Sequence, residues 1–221
     1  MESCLVDKKT KASRTATGVA AVFTIIIWAY HVIQDLDYIS FIIVWDAVGH
    51  VSIFDLVDYI SILNWVLIRP LTIMIAMILC AFYAFVYYDR KQSHLFGISA
   101  IIIALWYFFT LMMSVVFRMR FSSFTTSYIL DTLANTLIII NFVVISLKCF
   151  NKIKFNIKIM PVITIVITVS TTILLSIIDN YFSAAIFIDV VYDASFIVPF
   201  LIFILFCPID NKIHQQDVIQ T

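Results

Sequence analysis

Six times along this chain the apolar residues run on for about the length a helix needs to cross a bilayer, and nothing else constrains the fold as strongly. The hydrocarbon layer is about 30 Å thick and a helix rises 1.5 Å per residue, so a span takes roughly 20 residues. Five stretches, at 16–33, 63–87, 95–117, 125–147 and 159–178, meet this length cleanly. A sixth, at 184–206, carries Asp189 and Asp193 in its first half but is unbroken apolar sequence from Phe196 to Phe206. Lipid offers no hydrogen bonds to the backbone, so such segments must be helical. Composition agrees: 63% of the residues are hydrophobic and 13% charged, against about half and a quarter in soluble domains. A core built from 221 residues cannot hide that much apolar side chain from water. The fold class expected is an all-α integral membrane protein with six transmembrane helices.

The stretch 35–60 does not fit that pattern. Its apolar run, 39–48, is broken by Asp46 and followed by His50, Asp55 and Asp58. At around ten residues the run is too short to span, so an outer interfacial or re-entrant segment is expected. Orientation follows from the cations. With the N-terminus inside, Lys8, Lys9, Lys11, Arg14, Arg90, Lys91, Lys148, Lys152, Lys154, Lys158 and Lys212 are cytoplasmic, leaving only Arg69, Arg118 and Arg120 outside. That asymmetry is the positive-inside pattern. It predicts both termini in the cytoplasm and a multi-pass protein of the cell membrane, with short cytoplasmic tails at 1–15 and 208–221. The basic loop 148–158 sets topology and meets anionic headgroups.

Motifs exclude more than they assign. Cys4, Cys80, Cys149 and Cys207 form no CxxC, and three glycines leave no phosphate loop, dinucleotide fingerprint or GxxxG packing motif. No cofactor is expected. Zero net charge points away from a nucleic-acid partner. The partners expected are the lipid bilayer and either a small cationic solute or another membrane protein.

Acidic side chains gather opposite the lysines. A charge within the hydrocarbon zone costs roughly 2.5–3.5 kcal/mol and usually faces a cavity or a partner. Asp131 lies about six residues into 125–147, hence roughly 9 Å deep at 1.5 Å per residue. Asp193 lies at comparable depth in the sixth span, with Asp189 one turn away on the same face. Asp131, Asp189, Asp193 and Asn135, with Arg118 nearby, outline an outward-facing acidic vestibule suited to a cation. The alternative is that Asp131 pairs with Arg118 while Asp189 and Asp193 sit in wet interface. Pro199 would kink the sixth span below Asp193 and free a carbonyl there. Two further pairs at i,i+4 spacing, His31 with Asp35 and Asp46 with His50, have the donor types of a zinc site without belonging to an HExxH motif.

Three functional classes remain open: a small-solute or cation binding or transport component, a non-catalytic membrane regulator, and a metal-dependent membrane hydrolase using the outer His and Asp residues. Against transport stands the lack of a clearly broken central helix.

Overall fold

The computed structural model describes residues 2–46, 63–86, 94–121, 126–150, 152, 158–178 and 185–206, and every element among them is helical. Helix α1 (Glu2–Asp46) is followed by a single wide π turn (Asn64–Ile68) that runs into α2 (Arg69–Phe85). Then come α3 (His94–Phe121), α4 (Thr126–Cys149), α5 (Met160–Ile178), α6 (Ala185–Ser195) and α7 (Val198–Phe206). Among the described residues, four helical stretches are long and apolar enough to cross a membrane: Lys11–Gln34, Val66–Phe85, His94–Val116 and Thr126–Cys149. Met160–Leu175 and Val190–Leu205 are shorter apolar stretches.

Chain order gives an up-and-down bundle. Arg14 meets the end of α2 at Ala84 and Phe85 while Trp28 meets its start at Arg69, so α1 and α2 are antiparallel. Tyr83 against Phe96, and Arg69 against Trp106, set α2 and α3 antiparallel as well. Helix α4 packs on α3, α5 on α4, and α6 and α7 on α5. At Gly97 a side chain would meet Cys149 Cβ at 3.1 Å, so the missing Cβ is what lets the α3 and α4 backbones approach this closely. The outward surface is apolar. Phe23, Ile26, Leu105, Leu133 and Val166 are each more than half exposed, which suits lipid rather than water.

Helix α7 fills the middle. Phe196, Ile197 and Phe200 are fully buried, with Phe200 against Phe96 and Phe142, and Phe203 against Tyr83 and Phe96. Edge-to-face and tilted aromatic contacts of this kind add roughly 0.5–1.5 kcal/mol each beyond burial.

Three expectations change. Helix α1 does not end near 33: it continues unbroken through 35–46, the first part of the stretch expected to be a separate interfacial or re-entrant segment. No glycine or proline lies between Gly18 and Asp46, so nothing in the backbone stops the helix where the apolar pattern stops. It also begins at Glu2, within the expected tail. Residues 47–62 and the tail 208–221 lie outside the described residues. Finally, the sixth span is not one helix. It breaks at Phe196–Ile197, between α6 and α7.

Candidate functional site

The break has a backbone cause. In a continuous helix the carbonyl of Ser195 would accept from the N–H of residue 199, but that residue is Pro199 and has none. The carbonyl thus freed lies 2.9 Å from the Thr24 hydroxyl of α1, which also lies 3.0 Å from its own Ala20 carbonyl and shares one proton between the two. Trp28, one turn on, donates its indole N–H to Ser195 Oγ at 3.1 Å, and Ser195 Oγ donates to the Tyr192 carbonyl at 2.8 Å. Helix α1 therefore ties down both the freed carbonyl and the side chain at the end of α6.

A second discontinuity faces it. Pro70 would clash with the carbonyl four residues back in a regular α-helix, and the chain widens before it into the π turn, where the Arg69 N–H donates to the carbonyl of Asn64. This turn aims Arg69 inward. The Arg69 guanidinium forms an ion pair with Asp193 Oδ1, and the two side chains are 11% and 20% exposed. Its carbon lies 5.0 Å from the ring centre of Trp28 and 5.2 Å from that of Trp106, so the cation is sandwiched between two indole faces. Both indoles are held by hydrogen bonds: Trp28 to Ser195, and Trp106 to Asn64 Oδ1 at 3.2 Å. Asn64 in turn donates to Thr110 Oγ1 at 3.3 Å, fixing its own orientation. His31 stacks on Trp28, with centres 5.5 Å apart, and meets the edge of Tyr192 at 4.7 Å. On the far side of the pair, Thr172 of α5 brings its hydroxyl to 3.5 Å from Asp193 Oδ2.

Five elements thus converge on one ion pair: α1, the π turn with α2, α3, α5 and α6. Removing two charges from water is expensive, and attraction repays it only when the remaining polar atoms are also satisfied. Pairing, two aromatic faces and the Thr172 hydroxyl supply part of those terms here.

The residues singled out from sequence divide accordingly. Asp193 is at the centre. Asp131, Asp193 and Arg69 all lie near the buried Tyr107 of α3, which places Asp131 in the same neighbourhood. Asn135, one turn along α4 from Asp131, is buried on the bundle side. Asp189 lies one turn before Asp193 in α6, and Arg118 lies in the last turn of α3; both side chains fall outside what is described. The partner of Asp193 is Arg69 of α2 rather than wet interface. In the sequence Arg69 reads only as one of three outer cations; Trp28 and Trp106 on its two faces, and Thr172 beside Asp193, emerge from the fold. The signal was present: a lone cation six residues into an apolar span demands a partner by the argument applied to Asp131.

The metal candidates separate. Because α1 is continuous, His31 and Asp46 are 15 residues apart on one helix, about 22 Å along its axis, and cannot ligate one ion. The side chains of Asp35 and Asp46, and all of His50, lie outside the described residues. Among those described, no three His, Cys, Asp or Glu side chains gather. No family model matches the chain, and no curated protein or solved structure gives a significant match to it.

Proposed function

We propose that this chain is a small-solute binding or transport component of the cell membrane, crossing it six times with both termini in the cytoplasm. The observation that carries the reading is the buried Arg69–Asp193 pair seated where the last span is broken. Intramembrane charges are costly and mark solute or ion pathways, and broken helices line the binding sites of many transporters. The break removes the objection raised by the sequence, which showed no clearly interrupted span.

The chemistry favours a cationic solute. In the absence of solute, Arg69 neutralises Asp193 between the Trp28 and Trp106 faces. A guanidinium or amine of similar size meets the same carboxylate and the same indoles, and competes with Arg69 for them. Binding then exchanges an internal cation for an external one with no net change of buried charge, which keeps the cost of opening small. The cation asymmetry between 1–15, 90–91 and 148–158 on one side and the aspartates on the other supports an outward-facing site.

Tryptophan emission reports the event directly, since both indoles touch Arg69. Guanidinium and agmatine titrated into the purified protein should shift this emission saturably, and Asp193→Asn should abolish the shift. Binding that survives in Asp193→Asn, or none by either probe, refutes the reading. The rival, a regulator using the pair only as a latch, is separated by the paired change Arg69→Met with Asp193→Leu. That variant retains a latch's activity and loses solute binding. Orientation is tested by a C-terminal green fluorescent protein fusion, which fluoresces only on the cytoplasmic side.

A further inference from the structure

We infer that the solute is a small quaternary ammonium cation of the choline type, seated against Asp193 where Arg69 now lies between Trp28 and Trp106. This rests on the solute-binding reading and names the class of solute. The Arg69 guanidinium carbon marks the middle of the seat, 5.0 Å from the ring centre of Trp28 and 5.2 Å from that of Trp106. A methyl carbon sits about 1.5 Å from its nitrogen and touches a ring carbon at about 3.5–4.0 Å, so a methylated ammonium stands about 5.0–5.5 Å from each wall it faces. One such cation therefore touches both indoles at once. A bare ammonium, smaller by its methyl groups, touches one wall at a time.

Hydrogen bonding selects among cations of that size. The oxygens nearest the walls are engaged in holding them: Ser195 Oγ accepts from Trp28 at 3.1 Å, and Asn64 Oδ1 accepts from Trp106 at 3.2 Å. The Ser195 carbonyl takes the Thr24 hydroxyl at 2.9 Å. An alkyl guanidinium brings five N–H donors and a primary ammonium three. Each donor buried without an acceptor weakens binding by about tenfold or more. A quaternary ammonium brings none. Its single charge matches the Asp193 carboxylate, and aromatic faces attract its methyl groups through the charge they carry.

Both walls are fixed by their own neighbours. His31 lies parallel to Trp28, with 6° between the planes and 5.5 Å between centres, and Tyr192 packs on the same indole at 5.5 Å. Tyr107 meets Trp106 edge to face at 4.7 Å. Trp28 is fully buried and Trp106 nearly so. Walls ordered in advance leave little entropy to lose on binding, and burial strengthens the attraction between a cation and an indole face.

Equilibrium binding of radioactive choline to the full-length protein in detergent tests this, with tetramethylammonium, guanidinium, agmatine and dimethylbutanol as competitors. Tetramethylammonium should displace choline at a concentration at least about tenfold below that needed with guanidinium. Dimethylbutanol, choline's neutral isostere with carbon in place of nitrogen, should not displace it. Trp106→Leu should weaken choline binding by about tenfold or more. Trp106→Phe keeps a ring against Tyr107 and should weaken it a few-fold, so it carries the test if Trp106→Leu fails to fold. Guanidinium competing as well as tetramethylammonium overturns the inference. So does displacement by the neutral isostere, or undiminished choline binding in either folded Trp106 variant. If guanidinium shifts the tryptophan emission saturably and choline does not bind, the quaternary ammonium inference alone is refuted. No saturable shift with any of these cations removes the solute reading itself.

Discussion

Replacing one partner of the Arg69–Asp193 pair should cost far more than replacing both. Their side chains are 11% and 20% exposed, so little solvent screening intervenes. Removing one member of such a pair costs about 3–5 kcal/mol, because the other charge stays buried. The two single variants should differ. Asp193→Leu leaves the guanidinium between Trp28 and Trp106, at 5.0 and 5.2 Å, and cation–π attraction of roughly 0.5–2 kcal/mol per ring offsets part of the loss. Arg69→Met leaves the carboxylate with the Thr172 hydroxyl at 3.5 Å, a much poorer substitute. Arg69→Met therefore falls in the upper half of the range and Asp193→Leu in the lower. For a chain of this size each kcal/mol moves Tm by about 2–4 °C, so the single variants should melt roughly 6–20 °C lower. The double variant buries two apolar side chains in place of two charges and should melt near the parent, giving a coupling energy of several kcal/mol. The assay is thermal unfolding of detergent-purified protein, monitored by tryptophan emission and, independently, by loss of the monodisperse peak. Single variants that melt with the parent, or a double variant as unstable as the worse single one, would refute the claim that these two charges hold each other.

The break at Pro199 gives a second cycle. Thr24→Val should cost about 1–3 kcal/mol, since the freed Ser195 carbonyl loses its hydroxyl donor. In a Pro199→Ala background the same change should be nearly neutral, because residue 199 then supplies an N–H of its own; an undiminished cost in that background would sink the explanation. At the opposite end, Arg14 donates to the carbonyls of Ala84 and Phe85, among the last of α2, the latter at 2.9 Å. Arg14→Ala should lower stability by about 1–2 kcal/mol and speed hydrogen exchange at the Val86 amide; unchanged exchange there would show that the guanidinium does not cap the helix.

Most of the architecture was legible in the chain. A run of about 20 apolar residues has one solution in lipid, so the bounds of α3 to α5 fall within a few residues of those read from hydropathy, while α2 starts six residues late, after the π turn. The extent of α1 was not legible, because hydropathy reports where lipid ends and not where a helix ends. No glycine or proline lies between Gly18 and Asp46, and the helix continues past Asp35 and Asp37, beyond the end of the apolar pattern. Pro199 pointed to the break between α6 and α7, since a missing N–H is a local, covalent fact.

The site is the reverse case. Asp193 was marked as costly by its depth alone, but its partner lies 124 residues away in sequence. Hydropathy says that a buried charge needs compensation; it does not say which of several charges provides it. That choice depends on the antiparallel pairing of α1, α2 and α3, and on the π turn that rotates Arg69 toward the bundle axis between Trp28 and Trp106. By itself the sequence determined that this protein lives in a membrane and that its aspartates needed partners, because transfer free energies are properties of single residues and short segments. Only the tertiary structure decided that Arg69 answers Asp193 at a broken helix, because pairing depends on distance and orientation between segments that the order of residues does not encode.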